Sequence, residues 1–160
     1  MSRHLSFAAI LTSVPMVVLP ASGHPAQAAM WWPVPGPVVR EFDPPEPDWL
    51  PGHRGVDLAA APGATVRTPR DGVIAFAGRV AGSPVLVVGH GAVRATYQPV
   101  EAGATVGSTV RAGQPIGQIV SGAAHCTPTC LHWGALVGDR YVDPRILLGR
   151  AHVVLLPTAD

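Results

Sequence analysis

Two short phrases carry side chains able to bind a divalent metal: His53-Arg54-Gly55-Val56-Asp57 and, much further along the chain, Cys130-Leu131-His132. Imidazole and carboxylate are ligands that zinc accepts, and a catalytic zinc site uses three such protein groups with the fourth position left to water. His53, Asp57 and His132 make up such a set. In a strand, residues two apart face the same way, so whatever stands at position 130 shares a face with His132. That residue is Cys130, and its redox state divides two chemistries. Bridged to Cys126, it leaves the fourth position open; reduced, its thiolate would be a fourth ligand and close a structural centre.

The segments that must position these residues read as strands. After Pro51 the chain becomes a series of short apolar runs punctuated by glycine: Gly55 to Ala59, Thr65 to Thr68, Gly72 to Arg79, Val85 to Gly89, Val93 to Tyr97, Pro115 to Val120 and Leu131 to Val137. Strands and turns without intervening helical stretches predict an all-β, antiparallel domain. A hairpin is expected at Gly82-Ser83. Only the segment from Asp143 to Gly149 reads as a short C-terminal helix, with Asp143 as N-cap and Pro144 at the first helical position. Residues 29–51 form a lead-in rich in proline and tryptophan, with Val38 to Phe42 as its one plausible strand and the Pro44-Pro45-Glu46-Pro47 stretch as surface loop.

Length and composition bound the rest. A chain of 160 residues fits a single core. Residues 1–28 read as an export signal: Arg3 and His4, a mostly apolar run from Leu5 to Leu19, and the small-x-small pattern Ala26-Gln27-Ala28. That run falls short of the roughly twenty apolar residues needed to span a bilayer. Export implies an oxidising compartment, where a Cys126–Cys130 disulfide persists. The core is then assigned to residues 52–149, with a tail at 150–160. The formal charge of +1 offers no basic field for nucleic acid.

The phrases Gly52 to Leu58, Ala64 to Ile74, Val87-Val88-Gly89-His90-Gly91, Val110 to Gly117 and Leu131-His132-Trp133, in that order, resemble the core domain of LytM or lysostaphin-type zinc metallopeptidases. The resemblance implies a compact antiparallel sheet with a groove across one face. It implies zinc held by His53, Asp57 and His132, and hydrolysis of peptidoglycan stem peptides or crosslinks by a zinc-activated water. It also implies a secreted or cell-wall-associated protein.

Against the family pattern, two proton-handling histidines are replaced, one by Cys130 and the other by Pro99 in Tyr97-Gln98-Pro99-Val100. His125, in the loop before the metal strand, and Tyr97, as a hydroxyl donor to an oxyanion, are the candidate catalytic residues that remain. General acid–base help is worth about 10²–10⁴ in rate. Two functions therefore stand: a metalloendopeptidase, or a catalytically degenerate member that binds cell wall or regulates another cell-wall hydrolase.

Overall fold

The structure is a computed structural model that describes residues 31–47, 49–121, 126–127 and 129–149. The expected leader at 1–28, His125 and the tail at 150–160 lie outside the described residues. The strands are β1 (Val38–Arg40), β2 (Gly55–Ala59), β3 (Thr65–Arg67), β4 (Gly72–Val80), β5 (Ser83–His90), β6 (Val93–Gln98), β7 (Val100–Ala102), β8 (Thr109–Val110), β9 (Pro115–Ile119), β10 (Cys130–Val137) and β11 (Arg140–Val142). A 3-10 turn, Pro144–Leu147, follows them.

Among the described residues these strands form two antiparallel sheets. The larger runs β1-β2-β10-β6-β5-β4-β8, with β11 also on β10, and the smaller runs β3-β9-β7. The domain is all-β, as its alternating apolar runs and glycine turns require. Val56, Leu58, Ile74, Leu86, Tyr97, Leu131 and Trp133 of the large sheet pack with Val66, Val100, Ile116 and Ile119 of the small one in a single core. The opposite face of the large sheet is left for the groove.

Three local differences from the sequence reading have physical causes. The hairpin turn is Ala81-Gly82, because Val80 already pairs with Ser83 and both turn residues have positive φ (49° and 84°), as a type I′ turn demands. The C-terminal helix is a 3-10 turn of 4 residues, although Asp143 caps it as expected, its carboxylate accepting the Arg145 N–H at 2.9 Å. The lead-in, read from the sequence only as a proline- and tryptophan-rich stretch with one strand and one loop, also contributes to the core: Val34 is only 2% exposed, and Trp32 meets Trp133 edge-on at 6.3 Å. Its backbone is also tied in, since Ala59 N–H donates to the Pro37 carbonyl and Arg67 N–H to that of Pro33, both at 2.9 Å.

Trp133 joins lead-in and sheet, so its loss opens the largest cavity a single truncation can make here. Trp133→Ala should lower the unfolding free energy by about 3–5 kcal/mol, read by urea denaturation followed by circular dichroism. A cost below about 1 kcal/mol would show that the lead-in does not pack on the sheet as described.

Candidate metal centre

β10 lies between β2 and β6, which brings the two distant phrases of the sequence side by side. Asp57 pairs with His132, and His132 pairs with Gln98 on its other side. Directly opposed residues of antiparallel strands share a face, so these side chains form one row across the groove. His53 precedes β2 and is pinned by a bridge to Asp43, each residue's N–H donating to the other's carbonyl at 2.7 and 2.9 Å.

The result is a tight convergence of donor atoms. His132 Nδ1 lies 2.8 Å from Asp57 Oδ1, His53 Nε2 lies 3.0 Å from the same oxygen, and the two nitrogens are 3.1 Å apart. His53 Nδ1 donates to the Glu41 carbonyl at 2.6 Å, which directs the lone pair of the neutral ring onto Nε2. Asp57 is fully buried and His53 nearly so, at 0% and 4% exposure. The sequence reading placed these three together, and the fold does so.

Around them is a groove of about 560 Å³. Its floor is a second cross-strand row, Gly55–Gly134–Thr96–Val87–Phe76. The two glycines there are required by space. A Cβ on Gly55 would stand 2.5 Å from the Trp133 carbonyl oxygen and 2.9 Å from the His132 ring, and one on Gly134 would stand 2.6 Å from Thr96 Oγ1. One wall is apolar, built from Phe76, Val80, Val85 and Val87; Arg40, Arg54 and Tyr141 supply the other side. Arg54 donates to the Leu50 carbonyl at 3.0 Å and sits over the Tyr141 ring, 5.8 Å from its centre.

Position 130 is settled differently from the histidine pattern. Cys126 and Cys130 are joined, with their Cα atoms 5.6 Å apart, a separation suited to a disulfide. Cys126 Sγ lies 3.7 Å from Asp57 Oδ2, so the bridge packs on the back of the carboxylate. Bonded sulfur is no thiolate ligand, and Cys130 adds none to the cluster in this structure.

The assignment of Tyr97 to catalysis is corrected. Tyr97 pairs with Trp133, on the core face of β6, whereas its neighbours Thr96 and Gln98 line the groove. It is wholly buried, and burial drives its phenol well above the ordinary value, with Thr68 and Trp133 beside the hydroxyl offsetting part of the rise. No groove-bound oxyanion is within its reach. What the sequence reading missed were Arg40, Gln98, Thr96 and the apolar wall; the alternation of β6 about Tyr97 was the signal that would have found Thr96 and Gln98.

His90, at the far end of β5, serves the fold. Its Nδ1–H donates to the Asp71 carbonyl at 2.9 Å. Burial lowers its pKa below the ordinary 6.5, the charge of Arg70 adds to that, and the Asp71 carbonyl and carboxylate oppose it. A depressed folded pKa means the unfolded chain binds the proton first, so stability falls as the pH drops below about 6.5.

Sequence comparison places this geometry among known proteins. Residues 51–144 match the profile described as Peptidase family M23. An uncharacterized protein of Mycobacterium tuberculosis is 42% identical over 148 residues, covering 88% of this chain. The chain spans 59% of the length of that relative. The DD-carboxypeptidase/endopeptidase Mpg of Neisseria meningitidis is 34% identical over 94 residues, or 58% of this chain and 22% of its own. Among solved structures, a zinc containing peptidase from Vibrio cholerae superposes with a TM-score of 0.61 at 26% identity, covering 74% of this chain and 38% of its own.

Two predictions follow from the packing. Gly55→Ala drives a Cβ into backbone and should cost about 1–3 kcal/mol, whereas Gly134→Ala meets the rotatable Thr96 hydroxyl at 2.6 Å and the Arg54 carbonyl oxygen only at 3.3 Å, and should cost less. Thermal or urea unfolding of the pair decides, and the reverse order refutes the packing described. Separately, wild type should lose stability relative to His90→Gln between pH 7.5 and about pH 5, measured by denaturation at each pH; parallel curves would place His90 in solvent.

Proposed function

The chain belongs to peptidase family M23, and we propose that it is an exported, zinc-dependent peptidase domain whose groove takes the peptide segments of peptidoglycan. The observation that carries this reading is the meeting of His53 Nε2, Asp57 Oδ1 and His132 Nδ1 within 3.1 Å of one another. In a neutral His53 that donates Nδ1–H to a carbonyl, Nε2 can only accept, and it faces a carboxylate oxygen that also only accepts. Such a cluster calls for a cation. Zinc bonds of about 2.0–2.2 Å in a tetrahedron separate neighbouring donors by about 3.3–3.5 Å, so the three groups fit after spreading by a few tenths of an ångström. The similar Vibrio and Neisseria proteins, a zinc containing peptidase and a DD-carboxypeptidase/endopeptidase, point the same way.

The roles of the side chains follow from their places. The Glu41 carbonyl holds the tautomer and direction of His53. Asp57 contributes the one negative charge of the ligand set. Thr96 and Gln98, on the row and floor beside His132, offer hydrogen bonds to a peptide lying across the strands. Phe76, Val80, Val85 and Val87 exclude water from one side of it. Zinc in a three-ligand site supplies Lewis acidity toward a carbonyl and a nucleophile at neutral pH.

Export rests on the Arg3–Ala28 pattern and agrees with a disulfide at Cys126–Cys130.

One observation favours a second reading. Among the described residues that line the groove, the imidazoles are His53 and His132, both committed to the cluster, and neither Pro99 nor the bonded Cys130 moves a proton. Turnover should therefore lie about 10²–10⁴ below that of a peptidase with full acid–base help. At the low end the protein acts as a cell-wall binder or as a regulator of another hydrolase.

Purified protein should hold one zinc per chain and slowly clear peptidoglycan in a zymogram, and His132→Ala should lose both. Retained binding to cell wall without clearing selects the second reading. A protein that binds neither zinc nor cell wall overturns both.

A further inference from the structure

A β-bulge places one extra residue in a strand and turns the following side chains to the other face. Among the described residues the large sheet has two, and both serve the groove. On β1, Val38 opposes Leu58 on the core face, and after one extra residue Arg40 opposes Asp57. On β4, Ile74 opposes Val88 on the core face, and after one extra residue Phe76 opposes Val87. Without these insertions Arg40 and Phe76 would each share the face of the core residue two positions earlier. With them, both line the groove.

The groove is thereby made chemically unequal at its two ends. Arg40 extends the row Asp57–His132–Gln98 at the β1 end, exposed, with no hydrogen bond or ion pair among the described residues. Arg54 stands near it, anchored to Leu50 and Tyr141. Among the described residues that line the groove there is no carboxylate; that of Asp57 lies buried beneath the two histidines that engage it. The β4 end carries Phe76 and three valines.

We infer that Arg40 is a specificity-determining residue that binds a free carboxylate of the peptide substrate, beside the bond held over His132, while the apolar end receives an uncharged segment. The inference rests on the peptidase reading above. Two strand spacings of about 4.8 Å separate β1 from β10, and a peptide advances about 3.3–3.6 Å per residue. With the reach of the arginine side chain, that places the carboxylate within about two residues of the scissile bond. A planar guanidinium suits bidentate carboxylate binding, and its discrimination against the matching amide is lost when it is replaced.

The test uses zinc-loaded protein and two synthetic stem tetrapeptides, one with free carboxylates and one with them amidated, measured by calorimetric binding and by cleavage. Wild type should prefer the acid by about tenfold, the size of a charge-assisted hydrogen bond at an open site. Arg40→Gln should bring the ratio to near parity and Arg40→Lys should keep part of it, with zinc content unchanged in both. A ratio that is the same within twofold in wild type and Arg40→Gln overturns the role of Arg40 while leaving the peptidase reading standing. Failure of wild type to bind either peptide overturns that reading and this one with it.

Discussion

Three electron-pair donors held within 3.1 Å of one another are the constraint on which this structure turns. Bringing a buried carboxylate against two imidazole nitrogens is unfavourable unless positive charge is shared among them, because an unpaired buried charge costs several kcal/mol. The fold supplies the positioning but not the charge. β10 is central, so His132 is fixed from both sides, by β2 and by β6. Asp57 sits within β2 with no exposed surface, and His53 is locked by its bridge to Asp43 and by the Glu41 carbonyl. None of these elements can relax the cluster without breaking backbone hydrogen bonds, so the positive charge has to come from a proton held between the rings and the carboxylate or from a cation in its place.

Much of this was legible in the sequence, for a definite reason. The twofold repeat of a strand ties side chain to face, so Leu131-His132-Trp133 announces one inward tryptophan and one outward histidine on each side of a single residue step. Glycine punctuation likewise marked β2 to β6, β9 and β10 within a residue or two. The misses arise where the repeat breaks or where partners are remote. Tyr97 is a catalytic candidate on its hydroxyl and a core candidate on its ring, and its pairing with Trp133 puts it in the core. Val34 packs inward through contacts with residues far along the chain, which a proline-rich composition conceals. Strands β7, β8 and β11, of 2 or 3 residues, are too short to display any period.

The Cys126–Cys130 bridge changes what position 130 contributes. On the face it shares with His132, a second imidazole would be a proton carrier; a bonded sulfur is apolar and inert. The bridge instead closes the chain just ahead of β10 and lays Cys126 Sγ against the rear oxygen of Asp57. Its stabilisation through the unfolded chain is small for so short a loop. Its consequence is positional: the start of β10 and the Asp57 carboxylate are held side by side, and among the described residues that line the groove the imidazoles are those of His53 and His132.

The bulge in β1 has a structural reason as well as a functional consequence, and the two can be separated by asking what an unbulged strand would do. Val38 packs at the edge of the core opposite Leu58, so regular alternation would turn the guanidinium of Arg40 toward apolar side chains, at a desolvation cost no edge strand could offset. Avoiding burial of a charge explains a bulge or an apolar residue equally well, and an apolar residue at position 40 would have met that need without disturbing the ladder. The same reasoning fails at β4, where Phe76 is apolar and would have been welcome in the core. There the bulge moves a large ring out to 40% exposure, a loss of burial the fold alone does not repay. One irregularity that removes a charge from the core and another that removes an aromatic ring from it have a single feature in common: each furnishes one end of the same groove.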